Sequence, residues 1–173
     1  VTLTAGTGDV VFGDAVGGGA RLGALVITSA ANVAGDAAVT VPTSAITATS
    51  IAQTAGTVLT WFDTLDTNGA AGIDVNGQAF TFDGAVTTAN TGPVTVTNAG
   101  LLTITDVTGA ADTASWDFDL DGAFEQDGTG AVDIAGDIRT TDDAISFSTN
   151  VAAPTVTLTG EVALATSGAG AGT

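Results

Sequence analysis

A chain of 173 residues with 45% hydrophobic side chains can build one core and is too apolar to stay disordered. Its net charge of −17, from 19 acids against Arg21 and Arg139, predicts no nucleic-acid partner and no anionic membrane surface, because neither would offset that field. The absence of His, Cys and Lys removes the usual general base, nucleophile and Schiff-base former, and with Cys goes any disulfide.

Helix signals are nearly absent along the chain. Acid is placed as Asp rather than Glu, and Gly and Thr are scattered throughout, which lowers helix propensity and favours turns and strands. In chain order, alternation of apolar and polar residues predicts strands over residues 1–4, 39–41, 80–83, 94–97, 102–105, 116–121 and 156–159. Turn pairs punctuate them, among them Asn68-Gly69, Asn76-Gly77, Asp83-Gly84 and Asp121-Gly122. The longest uncharged run, residues 37–62, is broken by Pro42, Gln53 and Gly56, so it predicts no membrane-spanning helix and no membrane insertion. Without an initial Met or a visible signal peptide, the chain reads as a processed protein or a section of a larger one.

The pattern Thr-Gly-x-Val-x-apolar occurs at residues 7–12, 91–96, 129–134 and 159–164, with a looser copy at residues 99–104. Recurrence of one glycine corner feeding one strand predicts stacked coils, a parallel β-helix or β-solenoid, spaced unevenly. A β-sandwich is the alternative fold, although the Cys–Trp–Cys arrangement of immunoglobulin domains is missing. Coils of about 20 to 25 residues, each rising about 4.8 Å, would make seven or eight turns over about 35 Å. Residues 1–173 are therefore expected to form a single solenoid segment. It would belong to a longer repetitive chain or be a fibre subunit whose partners are copies of itself, or adjacent repeats, stacked end to end.

The Thr-Gly-x-Val units, the opening Val-Thr-Leu-Thr-Ala-Gly-Thr-Gly-Asp, and the stretch from Asp121-Gly122-Ala123-Phe124 through Ile145-Ser146-Phe147 resemble the passenger repeats of filamentous-haemagglutinin-like bacterial surface adhesins. The resemblance implies a right-handed parallel β-helix at the cell surface, without catalytic residues. The family's N-terminal secretion domain has no counterpart in these residues.

The leading metal candidate is Asp117, Asp119 and Asp121 before Gly122, with Glu125 and Asp127 nearby. Carboxylates at alternate positions before a Gly are how an EF-hand loop opens around Ca²⁺, the one cofactor to weigh. The twelfth loop position is Gly128 instead of Glu. The competing reading puts Phe118 and Leu120 inside a strand and the three Asp on its solvent face. A second cluster is Asp63, Asp66 and Asn68, and Gly6-Thr7-Gly8-Asp9 lacks the tandem copies of a calcium nonapeptide. Thr pairs at 2/4, 47/49, 95/97, 103/105 and 155/157/159 could stack into ice-ordering ladders, or simply reflect strand propensity. Trp61, Phe62 and Trp116 could stack on sugars, with core packing the competing reading. Arg21 and Arg139 are expected to neutralise neighbouring Asp side chains.

These readings lead to a non-catalytic, extracellular structural or adhesive module of a surface fibre or stalk. The alternative is a calcium- or glycan-binding surface-layer module whose partners are host or surface glycans. A polysaccharide lyase ranks third, because two arginines are a thin supply of the basic residues such chemistry uses.

Overall fold

Alternating sequences leave each strand with one apolar face to bury, and this chain buries it by winding. The computed structural model describes residues 1–107, 115–147 and 155–166. Eighteen strands occur there and no helix. The first six are β1 (Thr2–Thr4), β2 (Val10–Val11), β3 (Leu22–Ala34), β4 (Ile46–Gln53), β5 (Gly56–Phe62) and β6 (Leu65–Thr67). Next come β7 (Ile73–Gly77), β8 (Ala79–Phe82), β9 (Val86–Thr88), β10 (Val94–Asn98), β11 (Leu102–Ile104) and β12 (Phe118–Leu120). The last are β13 (Phe124–Gln126), β14 (Val132–Ile134), β15 (Ile138–Thr140), β16 (Ile145–Phe147), β17 (Val156–Leu158) and β18 (Leu164–Ala165).

Every named pairing is parallel, and the strands stack on three faces in seven rungs each. Face 1 stacks β1, β3, β4, β7, β10, β13 and β16. Face 2 stacks β2, β3, β5, β8, β11, β14 and β17. Face 3 begins with the bridge of Val16 to Ile46 and continues through β4, β6, β9, β12, β15 and β18. The long strands β3 and β4 each turn a corner and serve two faces. This is the predicted all-β parallel solenoid. A sandwich of antiparallel strands is excluded by the parallel pairing. At about 4.8 Å per rung, seven coils make a rod segment about 34 Å long.

Identical ladder positions hold the core. On face 3, Ile46, Leu65, Val86, Phe118 and Ile138 stack in register and are buried. On face 2 the corresponding ladder is Val33, Thr60, Phe80, Leu102 and Val132. One phenylalanine per coil then joins the faces. Phe62, Phe82, Phe118, Phe124 and Phe147 form a continuous run with ring centroids 5.7, 5.3, 5.9 and 5.5 Å apart.

Two details depart from the sequence reading. Residues 39–41, predicted as a strand, form a turn. Asp36 causes it: its carboxylate accepts the Thr40 N–H (2.8 Å) and hydroxyl (2.5 Å), while its carbonyl accepts the Val39 N–H. Val39 is left at φ 55°, an uncommon conformation for a β-branched residue. The Thr-Gly-x-Val copies also do not mark one repeating unit. They enter face 2 at Val10 and Val132, face 1 at Val94 and face 3 at Leu164. What recurs is the chemistry of a corner, which any of the three corners can use, and uneven spacing follows. Gly130 shows why glycine is needed: a Cβ there would overlap the Gly100 carbonyl oxygen of the coil below.

Candidate functional site

The three calcium candidates flank one strand of face 3, and the winding sends them to different tasks. Asp119 lies outward on β12, and its Oδ1 accepts from Arg139 Nε (3.0 Å) and Nη2 (2.6 Å). The same guanidinium lies 5.6 Å from the Trp116 ring centre. Asp121 sits past the strand end and accepts the Thr91 N–H at 2.9 Å. Asp117 is the correction to the sequence reading. It is not on the solvent face but buried at the corner entering face 3, 1% exposed.

The reason is a buried ladder of backbone donors at that corner. Asp117 Oδ1 accepts the Val107 N–H (3.0 Å), and its Oδ2 accepts the Asp137 N–H (2.8 Å). Asp137, the equivalent residue one coil on, is also buried, and its Oδ1 accepts the Ala163 N–H (2.5 Å). Two stacked carboxylates thus satisfy amides that the corner geometry denies a strand partner. Sequence reasoning missed Asp137. Its signal was faint: Asp117-Phe118 and Asp137-Ile138 both place Asp directly before an inward apolar residue.

The second acidic cluster is likewise divided. Asp66 pairs with Arg21 at 2.6 Å, Asp63 accepts the Thr64 hydroxyl at 3.3 Å, and the Asn68 carbonyl accepts from the Asn90 amide at 2.6 Å. Asp9 acts as a corner brace, its Oδ1 accepting the backbone and side-chain N–H groups of Asn32. Among the described residues, no three acids gather as a metal site and no pocket opens. Both arginines neutralise an Asp, as expected from sequence, in half-buried surface pairs that contribute about 1 kcal/mol or less each.

The Thr pairs are scattered over all three faces and make no flat array. On face 2, Thr81 and Thr103 stack, but Asp133 interrupts before Thr157. The Thr105 and Thr159 hydroxyls donate to the Phe82 and Ile134 carbonyls of the coil below. Phe62 is core, whereas Trp61 and Trp116 are half-buried, with the Trp61 position on the outer side of face 2 and Trp116 beside Arg139.

A cluster absent from the sequence reading lies at coil 7, formed by β16, β17 and β18. Val156, Leu158 and Leu164 hold inward ladder positions yet are 39%, 56% and 46% exposed. Their equivalents one coil earlier, Val132, Ile134 and Ile138, are 0% exposed. Sequence alternation marks these residues as core-facing and says nothing of whether a further coil covers them. Comparisons with protein-family models, curated proteins and solved structures give no match, so the chain's own geometry carries the functional argument.

Proposed function

We propose that this chain is a non-catalytic structural and adhesive module, a stiff segment of an extracellular fibre or adhesin stalk at the cell surface. The observation that supports it is the parallel stacking of seven coils on three faces around one core. Each coil is hydrogen-bonded to its neighbours along the axis, which makes a rod suited to holding its ends apart. The exterior suits the same role. Asp74 and Glu125 stand outward on face 1 and Asp133 on face 2, so like charge on these faces, within a net charge of −17, keeps neighbouring rods apart.

The test is immunogold labelling of intact source cells with antibody raised against the purified chain, beside electron microscopy of the native material. Label on external filaments with an axial repeat near about 4.8 Å is the expected result. Label confined to the cell interior would overturn the reading.

A further inference from the structure

Residues 36–42 form a turn that stores strain behind one side-chain latch. We propose that this segment is a two-state element: the Asp36 carboxylate holds it closed, and its open state is the extended form that Val39-Thr40-Val41 favours. The inference goes beyond the fibre reading and does not depend on it.

The first argument is spare length. At the corner from face 2 to face 3, residues 63–64 suffice between β5 and β6, residues 83–85 between β8 and β9, and residues 135–137 between β14 and β15. Between β3 and β4 the same corner takes residues 35–45. Both ends of this excess are pinned to neighbouring coils. Before it, the Ala34 carbonyl accepts the Phe12 N–H at 2.9 Å. After it, the Thr43 N–H donates to the Trp61 carbonyl and the Ser44 N–H to the Phe12 carbonyl, both at 2.9 Å. The bonds that shape the turn run within it, from the Val39 N–H to the Asp36 carbonyl and from the Gly35 N–H to the Val41 carbonyl. Residues 36–42 can therefore change shape while the rungs on either side stay paired.

The second argument is a conflict between local preference and observed backbone. Val39 stands at φ 55°, in the left-handed region that a β-branched side chain avoids. Val39, Thr40 and Val41 are all β-branched, and such a run favours extended backbone. What opposes that preference is Asp36, whose carboxylate accepts the Thr40 N–H (2.8 Å) and hydroxyl (2.5 Å). Packing adds little, because Ala37, Ala38, Thr40 and Val41 are exposed. Latch and strain thus act on one equilibrium in opposite directions, and so weakly packed a segment can open without the rest of the rod.

Amide hydrogen exchange at Thr40, read by nuclear magnetic resonance, tests both halves. Asp36→Ala removes the latch and should speed Thr40 exchange at least about tenfold, since the amide loses a charged acceptor. Val39→Gly removes the strain and should slow it about threefold, the relief being partly offset by the flexibility of glycine. The double variant should fall between the two. Elastase nicking within residues 37–41, mapped by mass spectrometry, should follow the same order, because cleavage tracks the open population. The Phe12, Thr43 and Ser44 amides should keep their protection throughout, which shows that the rod stays wound. Val39→Gly tests the strain even where Asp36→Ala does not fold. Unchanged Thr40 exchange in Asp36→Ala, or exchange in Val39→Gly as fast as in the parent chain, overturns the proposal. So does loss of protection at Phe12, Thr43 and Ser44 in step with Thr40, because the opening would then be that of the rod.

Discussion

Truncating Phe82 in the middle of the aromatic run probes whether one core really links the coils. Phe82 is fully buried and touches Phe62 below and Phe118 above, at 5.7 and 5.3 Å. Phe82→Ala removes the buried ring and leaves a cavity, a change that costs about 3–5 kcal/mol in well-packed cores. Each lost aromatic pair accounts for about 1 kcal/mol of interaction, and backbone ladders on three sides limit collapse of the cavity. A loss near the upper end, about 5 kcal/mol, is expected. With a urea m-value of about 2 kcal/mol/M, the midpoint should fall by about 2 M. Phe147→Ala is the control, because Phe147 is half-buried in coil 7 and meets one ring, Phe124 at 5.5 Å. Its cost should be about half as large. Urea unfolding followed by far-ultraviolet circular dichroism reads both. In a stack held by nearest-neighbour contacts, weakening coil 4 should also broaden the transition, because coils on either side can then melt separately. Equal shifts for the two variants would refute a continuous core that grows tighter toward the middle coils.

Three further measurements follow from the site geometry. Asp117→Ala leaves the Val107 and Asp137 amides without their carboxylate and should cost about 3 kcal/mol, lowering Tm by about 6–12 °C, against under about 1 kcal/mol for Asp119→Ala; equal losses would contradict the buried corner. Because Asp117, Asp119 and Asp121 are engaged separately, exchanging millimolar Ca²⁺ for EDTA should move Tm by less than about 1 °C, and a rise of several degrees with Ca²⁺ would restore the calcium reading. The Thr40 hydroxyl and N–H hold the Asp36 carboxyl below its ordinary value of 3.8. Its contribution to stability is therefore present above the unfolded pKa and lost as pH falls through the folded one. Carboxyl resonances should show Asp36 titrating low, and Thr40→Val should raise its midpoint; an unchanged midpoint would rule out the hydroxyl as the cause.

Much of the fold was legible in the sequence because period-two alternation and glycine corners are local properties. Residues 94–97 and 102–105 read as half-buried strands, and β10 and β11 lie there with Val94, Val96, Leu102 and Ile104 inside. The coil count was legible as well, since it follows from chain length and strand spacing. Residues 39–41 carried the same alternation and still became a turn, because Asp36 takes the Thr40 N–H and hydroxyl on its carboxylate and the Val39 N–H on its carbonyl. The Asp run before Gly122 looked like one ligand set for a similar reason. Spacing in sequence does not say where a corner falls, and here the corner separates Asp117 from Asp119.

The sequence by itself determined that the chain is all-β, acidic outside and poor in the groups that catalysis uses. Composition and alternation set these properties residue by residue, wherever the coils happen to stack. Only the tertiary structure decided which residues share a ladder, because register depends on how many residues each corner absorbs, and those numbers vary from coil to coil. It alone placed Asp137 over Asp117, drew one phenylalanine from each of five coils into a single run, and left Val156, Leu158 and Leu164 at inward ladder positions yet exposed.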